Sequence, residues 1–135
     1  MSKTILVVDD EPDVVTYLST VLRDAGYNTL EAANGEEAMQ QIGRGRPDLI
    51  TLDITMPEMT GVKTYRQLKE DAALKRIPVI IVTGVAHDFK QFISSRTQIP
   101  APEGYLEKPV KPEDLLAEVG RLVGVGDAPA AATRS

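Results

Sequence analysis

The stretch Ile5-Leu6-Val7-Val8-Asp9-Asp10-Glu11-Pro12 holds four consecutive apolar residues, three of them β-branched, and then breaks at once into acids and a proline. A strand with one wet face alternates apolar and polar residues, so an unbroken apolar run suits a strand buried on both faces, as in a parallel sheet. Pro12 suits the first position of a helix, where its missing N–H has no partner to lose. The same pattern recurs downstream. Leu49-Ile50-Thr51-Leu52 ends in Asp53, and Val79-Ile80-Ile81-Val82 ends in Thr83-Gly84. Thr29-Leu30-Glu31-Ala32 and Gly104-Tyr105-Leu106 are weaker strand candidates, and the latter runs into Lys108-Pro109.

Helical patterns separate these runs. Val14, Val15, Leu18, Val21, Leu22 and Ala25 recur at three- and four-residue steps and give one apolar face, with Gly26 as a stop signal. Asn34 is placed as an N-cap with Glu37 as its capping-box partner, and Ala38 and Ile42 lie inside the helix they open. A third helix is expected from about Val62 to Ala73, starting after Gly61. A last one follows Lys111-Pro112, with Leu115, Leu116, Val119, Leu122 and Val123 along one face. Strand–helix alternation repeated in this way predicts an α/β domain, a five-stranded parallel sheet flanked by helices on both faces.

At 135 residues the chain has room for one such domain. With no cysteine there is no disulfide, thiolate nucleophile or Cys-based zinc site to consider. A net charge of −5 argues against a nucleic-acid surface, and no apolar run reaches the length of a membrane span. The expectation is a cytoplasmic protein. Residues 125–135 lose all apolar periodicity and are expected to form a flexible tail or the stub of a linker after a domain of residues 1–124.

In open α/β sheets ligands bind beyond the carboxyl ends of the strands. If the sheet is parallel, Asp9-Asp10, Asp53, Thr83 and Lys108 all reach that one edge. Three carboxylates so close repel one another unless a cation sits among them. Hard oxygen ligands favour Mg²⁺ or Ca²⁺, and Mg²⁺ commonly takes one or two carboxylates together with phosphate oxygens. A carboxylate beside such an ion can attack phosphorus, with Lys108 adding positive charge and Thr83 a hydroxyl hydrogen bond to a phosphoryl oxygen. Each residue alone has a bland explanation: a helix cap, a turn residue, a solvated lysine. Their joint placement at the ends of different strands is the specific signal.

Taken in order, these residues resemble the receiver domain of two-component response regulators, a (βα)5 flavodoxin-like or CheY-like fold. The resemblance spans about the first 124 residues. It is carried by residues 5–12, by Leu52-Asp53-Ile54-Thr55-Met56-Pro57-Glu58-Met59-Thr60-Gly61, by Val82-Thr83-Gly84 and by Tyr105-Leu106-Glu107-Lys108-Pro109. It implies that Asp53 is the phosphoacceptor and that Asp9, Asp10 and Asp53 hold Mg²⁺ with the backbone carbonyl of Thr55. It implies further that Lys108 pairs with the phosphoryl group, that the Lys108–Pro109 bond is cis, and that Thr83 and Tyr105 form a switch pair. The phosphodonor implied is a sensor histidine kinase or a histidine phosphotransfer protein. The protein would then be a phosphorylated switch with only slow autodephosphorylation, acting on a protein partner and not on nucleic acid or membrane.

Two departures stand out. Thr60 precedes Gly61 where the family most often has Asp. Residues 85–104 run longer than the family pattern and carry Pro100 and Pro102, which predicts a short fourth helix followed by an irregular loop. Phe89, Phe92 and Ile93 are expected to face the core, the alternative being an exposed docking patch that selects an unusual partner, and His87, the single histidine, to lie on the surface near the site. Two other functions fit these residues less well. A phosphatase working through an aspartyl-phosphate needs an acid two residues after its nucleophile, and Thr55 stands there. A flavin-binding or purely protein-binding module would have no use for the complete Asp9, Asp10, Asp53, Thr83 and Lys108 set.

Overall fold

The computed structural model describes residues 3–54, 60–84 and 101–124. Five strands form one parallel sheet: β1 (Thr4–Val8), β2 (Asn28–Ala32), β3 (Leu49–Leu52), β4 (Val79–Thr83) and β5 (Gly104–Glu107), in the order β2-β1-β3-β4-β5. The described helices are α1 (Pro12–Asp24), α2 (Gly35–Arg44), α3 (Thr60–Glu70) and α4 (Pro112–Val123).

The strand order matches the strength of each apolar run. The three unbroken apolar runs, β1, β3 and β4, occupy the centre, where both faces are covered. The two weaker candidates are the edges, and both carry exposed residues. Alternate residues of the central strands feed two cores. Leu6, Val8, Ile50, Leu52, Val79 and Ile81 pack with Ala38 and Ile42 of α2 and Tyr65 and Leu68 of α3. Ile5, Val7, Leu49, Ile80 and Val82 pack on the other face with Val15, Leu18 and Leu22 of α1 and Leu115 and Val119 of α4.

Local chemistry sets the helix ends. After α1 the Tyr27 N–H donates to the Leu22 carbonyl and the Gly26 N–H to that of Arg23, a closing turn that needs a left-handed residue, and Gly26 has φ 96°. Asn34 caps α2 by accepting from the Glu37 N–H at 2.8 Å. The Glu37 carboxylate reaches back one residue further than a capping box requires, to the Ala33 N–H at 2.8 Å.

The third helix departs from expectation at both ends. It begins at Thr60, so Gly61 lies inside its first turn and does not precede it. A Cβ on Gly61 would collide with the Asp53 carbonyl oxygen and the Ile54 Cα, so the glycine lets α3 sit directly on the end of β3. The helix stops at Glu70 and not at Ala73 because Asp71 opens a turn of its own, its Oδ1 accepting from the Ala73 and Leu74 N–H groups at 2.7 and 3.1 Å. α3 is also tied to the opposite edge of the sheet. The buried Lys69 ammonium meets both Glu103 carboxylate oxygens at 2.8 and 2.9 Å, and Glu103 also accepts from the Val79 N–H at 2.8 Å. A buried lysine is tolerable only when paired and hydrogen-bonded in this way.

Thr55, the fourth helix and loop expected in residues 85–100 with His87, Phe89, Phe92 and Ile93, and the tail of residues 125–135 lie outside the described residues. Among the described residues no helix is long and apolar enough to cross a membrane.

Candidate functional site

The chain runs from β1 to β2 on one side and then crosses to β3 on the other, so the winding reverses between β1 and β3. Asp9 and Asp53 are the first residues beyond those two strands. Their backbones extend the ladder, Asp9 N–H to the Ala32 carbonyl at 3.1 Å and Asp53 N–H to that of Val8 at 3.0 Å. Both side chains are buried, each residue 1% exposed, and Asp10 is exposed beside them. One carboxylate oxygen from each of Asp9, Asp10 and Asp53 lies within 4.8 Å of the others.

Lys108 follows β5 and brings its ammonium into this cluster. The nitrogen lies 3.0 Å from Asp9 Oδ2, 3.1 Å from Glu11 Oε1 and 3.3 Å from Asp53 Oδ2. The Lys108–Pro109 bond is cis. Burial pushes the Asp9 carboxyl above the ordinary carboxylate range, and Asp53 beside it adds to the rise. The Glu11 N–H, donated to Asp9 Oδ1 at 2.9 Å, and Lys108 offset only part of it. Burial pulls Lys108 downward, but its close approach to Asp9 and Glu11 and the charge of Asp53 outweigh it and hold the ammonium above the ordinary lysine range.

The cluster has more negative charge than one lysine balances, and Asp9 Oδ2, though 3.0 Å from that ammonium, is buried without a directed hydrogen bond. An all-oxygen set with such an oxygen fits a hard divalent cation. Among the described residues, this is the group of His, Cys, Asp and Glu side chains close enough together to hold one.

The structure therefore brings Asp9, Asp10, Asp53 and Lys108 together. Thr83 is the last residue of β4, at the same edge, and its hydroxyl lies outside what the structure describes, as does Thr55. Tyr105 projects from β5 onto the core shared with α2 and α3, and burial pushes its hydroxyl up to about 12. Glu11 went unnoticed in the sequence. As the N-cap of α1 its side chain makes no cap bond and turns to Lys108 instead. Its position between Asp10 and the helix-opening Pro12 was the available signal.

Known proteins agree with this picture. Residues 5–120 match the family model of the response regulator receiver domain. The chain is 34% identical to protein PilH of Pseudomonas aeruginosa, covering 88% of this chain and 96% of that protein. It is 33% identical to the alkaline phosphatase synthesis transcriptional regulatory protein PhoP of Bacillus subtilis, covering 91% of this chain. It spans about half the length of PhoP, 49%. Among solved structures, chemotaxis protein CheY4 of Vibrio cholerae superposes with a TM-score of 0.80 at 31% identity, over 90% of this chain and 99% of that one. A five-stranded parallel sheet in this order, an acidic cluster at its switch point and a family match over nearly its whole described length together make this chain a member of the response regulator receiver domain family, the signalling domain of two-component systems.

Proposed function

We propose that this domain is a phosphorylation switch in which Asp53 accepts a phosphoryl group from a phosphohistidine donor. The observation that carries the reading is the convergence of Asp9, Asp10 and Asp53 with the Lys108 ammonium at one edge of the sheet. An Asp53 carboxylate oxygen would attack phosphorus while the P–N bond to the donor imidazole breaks, and the imidazole leaves and takes up a proton from solvent. Lys108 balances charge on the phosphoryl oxygens and orients them, and the hydroxyl expected of Thr83 is a further donor. Asp9, Asp10 and Asp53, with the Thr55 carbonyl, would hold Mg²⁺, which when bound would supply positive charge to the transferring phosphoryl group. Asp9 contributes a buried carboxylate whose charge the protein alone leaves undercompensated.

The donor is a sensor histidine kinase or histidine phosphotransfer protein in the cytoplasm. The output is a protein partner that reads the surface around Thr83, Tyr105 and the start of α4. Phosphorylation places roughly 1.5 to 2 negative charges at the strand ends, enough to bias a loop and helix between two packings. The domain is assigned residues 1–124.

The test is incubation with acetyl phosphate and Mg²⁺, reading intact mass for the wild type and Asp53→Asn. A Mg²⁺-dependent gain of one phosphoryl mass in the wild type alone is expected. A folded wild type that binds Mg²⁺ but gains no mass would sink the reading.

A further inference from the structure

We propose that Tyr17 is a positioning residue for Lys108, reaching from α1 to hold the loop that carries the ammonium. The inference rests on the phosphoacceptor reading above. Tyr17 is the one large side chain of the apolar and aromatic class that the described residues leave exposed, at 42%, yet its hydroxyl has a partner within the protein. It donates to the Val110 carbonyl oxygen at 2.9 Å, two residues beyond Lys108.

The loop needs such a tie. No residue from Lys108 to Lys111 is fully buried, and within this stretch only Val110, half-buried against the α1 and α4 core, is held by apolar packing. A groove of about 410 Å³ separates it from α1, walled by Val14, Tyr17 and Leu18 on one side and Pro109 and Val110 on the other. Tyr17 bridges that groove. Glu11, six residues earlier and so about 9 Å along the helix axis, holds the ammonium itself at 3.1 Å. α1 thus grips the loop twice, once through the lysine side chain and once through the backbone beyond it.

Only the lysine depends on this brace. The carboxylates come from the ends of β1 and β3, held by the sheet ladder. Loosening the loop moves the ammonium relative to the phosphoryl oxygens, where a small misplacement slows transfer, but leaves the acidic cluster intact.

The test is Tyr17→Phe, which keeps the ring and removes the bond. Phosphorylation by acetyl phosphate is expected to slow by about three- to tenfold, the equivalent of one ordinary hydrogen bond. The Mg²⁺ dissociation constant from calorimetry stays within about twofold, and the urea midpoint falls by no more than the loss of one hydrogen bond accounts for. Backbone ¹⁵N order parameters at Lys108, Val110 and Lys111 fall, a readout independent of phosphorylation. A wild type that is phosphorylated beside a variant phosphorylated at the same rate overturns the inference. So does a parallel loss of Mg²⁺ affinity and stability, since the bond would then merely hold the fold. If the wild type takes no phosphoryl group, the functional reading fails. Unchanged order parameters at Val110 and Lys111 would in that case overturn the brace on their own.

Discussion

At the residue scale the site is a study in uneven compensation. Asp9 and Asp53 are buried side by side, and the one ammonium they share also serves Glu11. Asp9 carries the strain as a carboxyl pushed upward, chiefly by burial. Asp9→Asn keeps an oxygen for the Glu11 N–H and removes the poorly balanced charge, so the Mg²⁺-free variant should be more stable than the Mg²⁺-free wild type. The expected gain is on the order of 1 kcal/mol. Adding Mg²⁺ should raise the stability of the wild type by mass action and leave the variant nearly unchanged. Urea unfolding with and without Mg²⁺ measures both, and a variant less stable than the wild type without metal would contradict it. The acids were legible from sequence because each ends a buried run. Glu11 was not, because an exposed glutamate opening a helix resembles any solvated charge until Lys108 is brought to it from 97 residues away.

At the element scale, α3 shows how a local signal can be misread. A glycine ahead of an amphipathic pattern looks like a helix start, yet Gly61 sits in the first turn, where the helix meets the backbone of Asp53 and Ile54. Gly61→Ala should therefore destabilise by about 2 kcal/mol or more, because the added methyl meets backbone atoms that cannot turn aside. Intrinsic propensity points the other way by about 1 kcal/mol, so the sign of the change decides which effect governs. A urea midpoint equal to or above that of the wild type would mean that α3 can shift off β3 at little cost. The other described helices follow their sequence signals more closely, since Pro12, Gly26, Asn34 and Pro112 act through their own chain neighbours. Asp71 ends α3 by the same local chemistry, but a lone Asp after a helical run gives a weak signal.

At the scale of the whole molecule, the two faces of the sheet are held together differently. The α1 and α4 face is apolar and closes on the Lys108 loop, whereas the α2 and α3 face contains Tyr65 and the Lys69–Glu103 pair. Burial, with Glu103 and Tyr105 adding to it, raises the Tyr65 hydroxyl well above the ordinary tyrosine range. The fold thus favours the protonated phenol, so its contribution is complete below pH of about 10 and is lost as pH rises beyond that value. Burial raises Tyr105 in the same direction. Stability measured by urea unfolding between about pH 8 and 11 should fall, and Tyr65→Phe should flatten the fall. A variant with the wild-type slope would place the alkaline sensitivity elsewhere.

By itself the sequence determined the α/β class, the central strands, most helix ends and the identity of the acids and lysine at the strand termini. These follow from short-range physics: continuous apolar runs must be buried on both faces, and caps and prolines act within a turn. Only the tertiary structure decided that Lys108 is shared among Asp9, Glu11 and Asp53, that Tyr17 reaches Val110, that Lys69 pairs with Glu103 and that Gly61 lies against Asp53. Each of those contacts joins elements whose spacing along the chain says nothing about their distance in space, because it is the order of strands in the sheet that brings them together.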